Sequence, residues 1–153
     1  MLESPEVVLR IVVAALLGGL VGLEREVSDQ PAGFRTHILV SLGAALFTLV
    51  GAYSFDEDGV DATRVAAQVV TGIGFIGAGV IFQHGPSVKG LTTAASLWVT
   101  AAIGTAVGLG YWDAALVTSV ITVLALYGLK RVGRNVFPRL REKARADEPE
   151  DED

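Results

Sequence analysis

The sequence predicts an all-α integral membrane bundle of about five transmembrane helices. Three observations lead there. Half of the 153 residues are hydrophobic (51%), and the mean hydropathy is +0.50, too apolar for an ordinary soluble domain of this size. Five apolar runs approach or reach membrane length. The charges stand at the ends of those runs and crowd the end of the chain.

The runs are Val7–Leu23, Ile38–Phe55, Val65–Phe82, Leu91–Leu109 and Ala114–Leu129. A perpendicular helix needs about 20 residues to cross the hydrocarbon core, and the first four reach or nearly reach that. The fifth is short and spans if Tyr111 and Trp112 begin it as interfacial anchors. The N-terminal MLESPEVVLR lacks the basic region and cleavage site of a signal peptide, so an uncleaved first span is expected. Turn-forming or acidic stretches separate the runs: Pro31-Ala32-Gly33, Asp56–Asp61 and His84–Lys89. Residues 1–129 therefore read as the transmembrane domain, and 130–153 as a charged, disordered tail ending in acidic residues.

Basic residues set the expected orientation. With five spans, ten of the twelve Lys and Arg lie on the side of the first and third loops and the tail; only Arg10 and Arg64 lie opposite. That bias places the N-terminus outside and the C-terminus in the cytoplasm, in a multi-pass protein of the cytoplasmic membrane.

Twelve of the eighteen glycines fall inside the runs. Each would cost about 1 kcal/mol relative to alanine in a helix in water, whereas in lipid small residues let helices approach closely. Ala14, Gly18, Gly22 and Glu26 share a stripe of the first run, as do Ser96, Thr100, Gly104 and Gly108 on the fourth. On the third, Gln68, Gly72, Phe75 and Gly79 share a face, and Gly74 with Ala78 makes a second small pair. Close contact of the first, third and fourth spans is the expectation. Gly72-x-Gly74-x-x-Gly77 also fits a dinucleotide fingerprint, but it sits inside an apolar run without the required strand or acid.

The polar residues form small groups, each with a structural and a functional reading. Glu24, Arg25 and Glu26 close the first span, while Arg35, Thr36 and His37 open the second. A Glu26–Arg35 pair fits them, either as a structural clamp or as the wall of a cytoplasmic vestibule for an ion or ligand. Asp61 and Arg64 open the third span, with Asp61 placed to cap it. Gln68 lies one turn deeper and needs a hydrogen-bond partner, which Ser96 or Thr100 are candidates to supply. Thr92, Thr93 and Ser96 start the fourth span beside Lys89 and Gly90, suited to N-capping or to an anion. Trp98 lies too deep for a belt residue and is expected to pack in the bundle with its indole N–H bonded.

Several classes fall away. There is no cysteine, hence no disulfide, Fe–S cluster or thiolate metal site, and His37 and His84 are far apart. No span carries a ladder of ionisable groups such as a proton pump uses, and no nucleophile–base motif appears. A pore lined by Gln68, Thr71, Ser96 and Thr100 stays open. No catalytic residue, cofactor, metal site or nucleic-acid partner is expected.

Four blocks, GLERE at 22–26, AGFRTHILV at 32–40, RVAAQVVTGIGFIGAG at 64–79 and VKGLTTAASLW at 88–98, occur in order. Together they resemble the membrane domain of the MgtC/SapB family. The resemblance implies a prokaryotic cytoplasmic-membrane protein linked to magnesium homeostasis. It also implies control of membrane energetics, with the F-type ATP synthase as a membrane partner. Carried onto the matching positions, the candidate residues are Glu24, Arg25, Glu26, Arg35, Thr36, Asp61, Arg64, Gln68, Thr92, Thr93 and Trp98. MgtC-type members continue into a soluble ACT-like domain, whereas here about two dozen residues follow Leu129, the pattern of a short SapB-type member. The expected role is a non-enzymatic regulator working in the bilayer, alone or as a homo-oligomer; the alternatives are a small cation channel or carrier, or a structural subunit.

Overall fold

A computed structural model describes residues 2–53, 62–84 and 87–128. Among these the chain forms an all-α membrane bundle of five helices with one short hairpin. The helices are α1 (Ser4–Val27), α2 (Phe34–Tyr53), α3 (Ala62–Val80), α4 (Leu91–Leu109) and α5 (Trp112–Gly128). The hairpin pairs β1 (Phe82–His84) with β2 (Ser87–Lys89) between α3 and α4. Three helices, α1, α2 and α4, are long and apolar enough to cross a membrane; the apolar stretches Arg64–Val80 and Trp112–Gly128 are shorter. The chain divides after Val123, and α1 to α4 lie wholly in the first unit; residues 124–128, the described part of the second, are the end of α5. The expected disordered tail lies outside the described residues.

Local chemistry sets most boundaries. Pro5 sits in the first turn of α1, where its missing N–H is harmless. Two glycines frame α4. Gly90 at its start (φ 89°) and Gly110 at its end (φ 84°) are left-handed, a conformation with little cost only for glycine. The stretch between α3 and α4 is a hairpin in place of the expected loop, because Phe82–His84 and Ser87–Lys89 pair in antiparallel register.

The core is built around α2. At Gly18 of α1, an added Cβ would lie 2.5 Å from the Ser41 Cβ and 2.7 Å from the His37 carbonyl oxygen. At Gly104 of α4 it would run into the backbone carbonyl of the same Ser41. One turn on, at Gly108, it would sit 2.9 Å from both the Ala45 carbonyl and the Thr48 Cβ. Glycines on two helices thus bring both α1 and α4 into close backbone contact with α2. Val21, Ala45, Leu97, Ile103 and Val107 fill the space with essentially no exposure.

This corrects the expected arrangement in part. Helix α4 does meet both α1 and α3, but the element all three share is α2, whose Ser41, Ala44, Ala45, Thr48 and Gly51 make it small on the faces it buries. Helix α3 touches α2 and α4 along one edge only, through Val65 against Gly51, the buried Ile73, and Gly77 beside the Ala94 methyl. Its predicted packing stripe faces outward: Phe75 is 83% exposed, and nothing lies within 4 Å of a Cβ at Gly72, Gly74 or Gly79.

Candidate functional site

At the end of the bundle where α1 begins, Arg10 is buried on the same four-residue register as Ala14, Gly18 and Gly22. One Nη donates 2.6 Å to the Gly108 carbonyl and 3.1 Å to the Tyr53 hydroxyl; the other pairs with Glu6. The guanidinium also lies over the Tyr53 and Trp112 rings, 5.1 and 5.9 Å from their centroids. A cation at the last carbonyls of α4 complements that helix's negative end. Arg10 therefore ties α1, α2 and α4 together.

At the opposite end His37 does comparable work without charge pairing. It is fully buried; Nδ1 donates to the Gly33 carbonyl (2.9 Å), and Nε2 lies 3.1 Å from Ser96 Oγ on α4. Ser96 is also 2.9 Å from the Thr93 carbonyl, so its single proton has two acceptors to serve. The adjoining turn is closed by carboxylates. Arg25 Nε donates to Glu24 (2.7 Å), Ser28 Oγ donates to the other oxygen of Glu24 (2.7 Å), and Glu26 accepts the Phe34 amide (2.9 Å), capping α2. A Cβ at Gly33 would meet the Glu26 carboxylate, so a side chain there would have to displace that cap.

Between α2 and α3 the bundle is open. A groove of about 940 Å³ runs there with Ala101 of α4 also lining it. Its walls are apolar, from Leu39 and Phe47 on one side and Val69 and Ile76 on the other. Polar groups mark its two ends, Arg35 with Thr36 at the start of α2, and Arg64 with Gln68 at the start of α3. Arg35, Arg64 and Gln68 are exposed, and neither arginine forms an ion pair among the described residues. A second hollow of about 370 Å³, lined by Trp98 and Tyr111, opens between α3 and α4.

The predicted site residues are thus sorted into different environments. Glu24, Arg25 and Glu26 fix the α1–α2 turn, with Arg25 only 3% exposed. The expected Glu26–Arg35 pair is not formed, because Glu26 is held by a backbone amide and Arg35 turns to the groove. Gln68 does not reach Ser96 or Thr100: Ser96 meets His37 and Thr93, and Thr100 donates to the Ser96 carbonyl (2.8 Å). The conceivable pore residues accordingly lie apart, Gln68 and Thr71 exposed on α3, Ser96 and Thr100 buried on α4. Thr92 is exposed and Thr93 buried, and α4 is capped by Gly90 without a side-chain bond. Trp98 is 48% exposed rather than packed in the core. Asp61 lies outside the described residues. Two residues outside the candidate set matter more to the fold. Arg10 shares the small stripe of α1, and His37 starts the register His37, Ser41, Ala45, Thr48 on α2.

Across this architecture, a sequence model described as the MgtC family matches residues 11–135. The chain belongs to the MgtC family. Among curated relatives, a protein named "Putative magnesium transporter YhiD" from Escherichia coli (strain K12) is 46% identical over 129 residues, 80% of this chain and 60% of that protein. Protein MgtC of Salmonella typhimurium (strain LT2) is 44% identical over 130 residues, 84% of this chain and 54% of that protein. Protein SrpB of Synechococcus elongatus is 39% identical over 142 residues, covering 85% of this chain and 78% of SrpB. The chain thus spans little more than half the length of the YhiD and MgtC relatives. No solved structure matches it.

Proposed function

We propose that this MgtC-family chain is a non-enzymatic, multi-pass regulator of the cytoplasmic membrane, acting in magnesium-linked ion homeostasis or membrane energetics. Its N-terminus is outside and its C-terminus cytoplasmic, in keeping with the ten-to-two distribution of basic residues. The observation that carries the regulatory reading is the state of the core hydroxyls. Thr48, Ser96, Thr100 and Ser119 each donate to a carbonyl of their own helix, so these hydroxyls are satisfied inside the bundle rather than turned to a path, and Ser41 Oγ is the buried hydroxyl left without a partner among the described residues. The small-residue face of α3 is left uncovered by the described residues, and there a membrane protein partner would dock; the family resemblance nominates the F-type ATP synthase.

Transport is the second reading. It is favoured by the name of the YhiD relative and by Gln68 and Thr36 on an open groove. Flux of magnesium and monovalent cations in liposomes holding only the purified chain separates the two. Regulation expects flux equal to that of empty liposomes, alongside a change in membrane potential when cells starved of magnesium express the chain. Flux that scales with protein content and disappears in Gln68→Ala would make it a transporter.

A further inference from the structure

The groove between α2 and α3 has a length, a polarity and a charge placement that fit one kind of occupant. Val65 of α3 contacts Gly51 of α2, so the neighbouring Arg64 stands near the level of Gly51. Arg35 lies sixteen residues before Gly51, about 24 Å along the helix axis at 1.5 Å per residue. That is close to the roughly 30 Å thickness of a hydrocarbon core. A guanidinium therefore stands at each end of an apolar trough of nearly bilayer depth, and each end also carries a neutral polar side chain, Thr36 or Gln68. Both arginines are exposed and form no ion pair among the described residues. The mid-groove Gly43 and Gly72 leave the trough unfilled, with nothing within 4 Å of a Cβ at either.

We propose that this groove is a specific site for anionic phospholipids, one entering from each leaflet. One phosphate sits on Arg35 and Thr36, the other on Arg64, and the acyl chains lie along the groove between them. The termini of two helices strengthen both ends, since α2 starts beside Arg35 and α3 beside Arg64, each presenting its positive dipole end. Where both leaflets contain anionic lipid, its headgroups stand at both levels of the groove, and basic pockets between spans suit them.

Charge decides against a second copy in the groove. Two copies related by a twofold axis along the membrane normal would set each Arg35, and each Arg64, against its counterpart at the same depth. A lipid phosphate supplies the opposite charge at both ends.

The test is native mass spectrometry of the intact chain taken from membranes containing phosphatidylglycerol and phosphatidylcholine, with thermal unfolding confirming that each variant is folded. The expected result is selective retention of up to two phosphatidylglycerol molecules per chain. Arg35→Ala and Arg64→Ala should each lose one, with affinity at that end falling about fivefold. Gly72→Phe, at a position open to a larger side chain, should reduce retention while the protein stays folded. Trp98→Ala, outside the groove, should retain both lipids. Equal retention of the two lipid classes, or unchanged retention in the double arginine variant or in Gly72→Phe, would overturn the proposal. So would a dimer that Gly72→Phe dissociates, which would place a second copy in the groove.

Discussion

Helices α3 and α4 carry nearly the same sequence device, small residues at helical spacing, in opposite surroundings. On α4, Gly104 and Gly108 meet the backbone of α2, and a single methyl group there would collide with a carbonyl. On α3, Gly72, Gly74 and Gly79 meet nothing, and the neighbouring Phe75 is almost wholly exposed. Glycine spacing therefore reports that a close approach is possible, not that one occurs within the chain. What separates the helices is the surface opposite: α2 offers Ser41, Ala45 and Thr48 to α4, whereas α3 looks onto an open groove and the surroundings of the bundle.

The largest expected effect sharpens that contrast directly. Gly104→Leu drives a side chain into the Ser41 carbonyl and should lower stability by about 3 kcal/mol or more, or prevent accumulation. Gly72→Leu should unfold at the parent temperature or slightly above, since replacing an unencumbered helical glycine gains about 0.5–1 kcal/mol. Thermal unfolding of the two purified variants in one detergent checks both.

The arginines allow the same comparison with charge. Arg10→Ala removes the buried donor to the Gly108 carbonyl and the Tyr53 hydroxyl, so a loss of about 2–3 kcal/mol is expected. Arg35→Ala removes an exposed group that forms no ion pair among the described residues and should change stability by less than about 0.5 kcal/mol. Normal membrane accumulation of Arg35→Ala beside depletion of Arg10→Ala would place the charged clamp at Arg10. The reverse order would put it at the α1–α2 turn.

Smaller effects follow at the turn. His37→Phe breaks the link from the Gly33 carbonyl to Ser96 and should cost about 1–3 kcal/mol. Glu26→Ala loses the cap on Phe34 and should cost about 1 kcal/mol, with Glu26→Gln recovering part of it by keeping an acceptor oxygen. Denaturation midpoints of the three variants, ranked against the parent, test that ordering.

Much of this architecture was legible in the sequence. Apolar runs gave the helices to within a few residues, and the stripes of α1 and α4 named glycines that do pack. The failures share a cause. Periodicity assigns residues to a face of a helix but does not say which neighbour that face meets. Hence Glu26, paired in expectation with Arg35, instead bonds a backbone amide that no side-chain pattern reveals. The depth of Trp98 along its span predicts an inward side chain, yet depth says nothing about which way the helix is turned, and Trp98 is 48% exposed. Arg10 could have been found: an arginine in register with Ala14, Gly18 and Gly22 must enter the core and be bonded there.

The most direct measurement uses the absence of cysteine from the chain. A single spin label, attached through Phe75→Cys or Ile103→Cys in bilayers, reports exposure to dissolved oxygen. Phe75 is 83% exposed and Ile103 1%, so label 75 should relax as a lipid-facing site and label 103 as a buried one. Equal shielding at the two positions would mean that α3 is covered, and would contradict an open α3 face beside a closed α1–α2–α4 core.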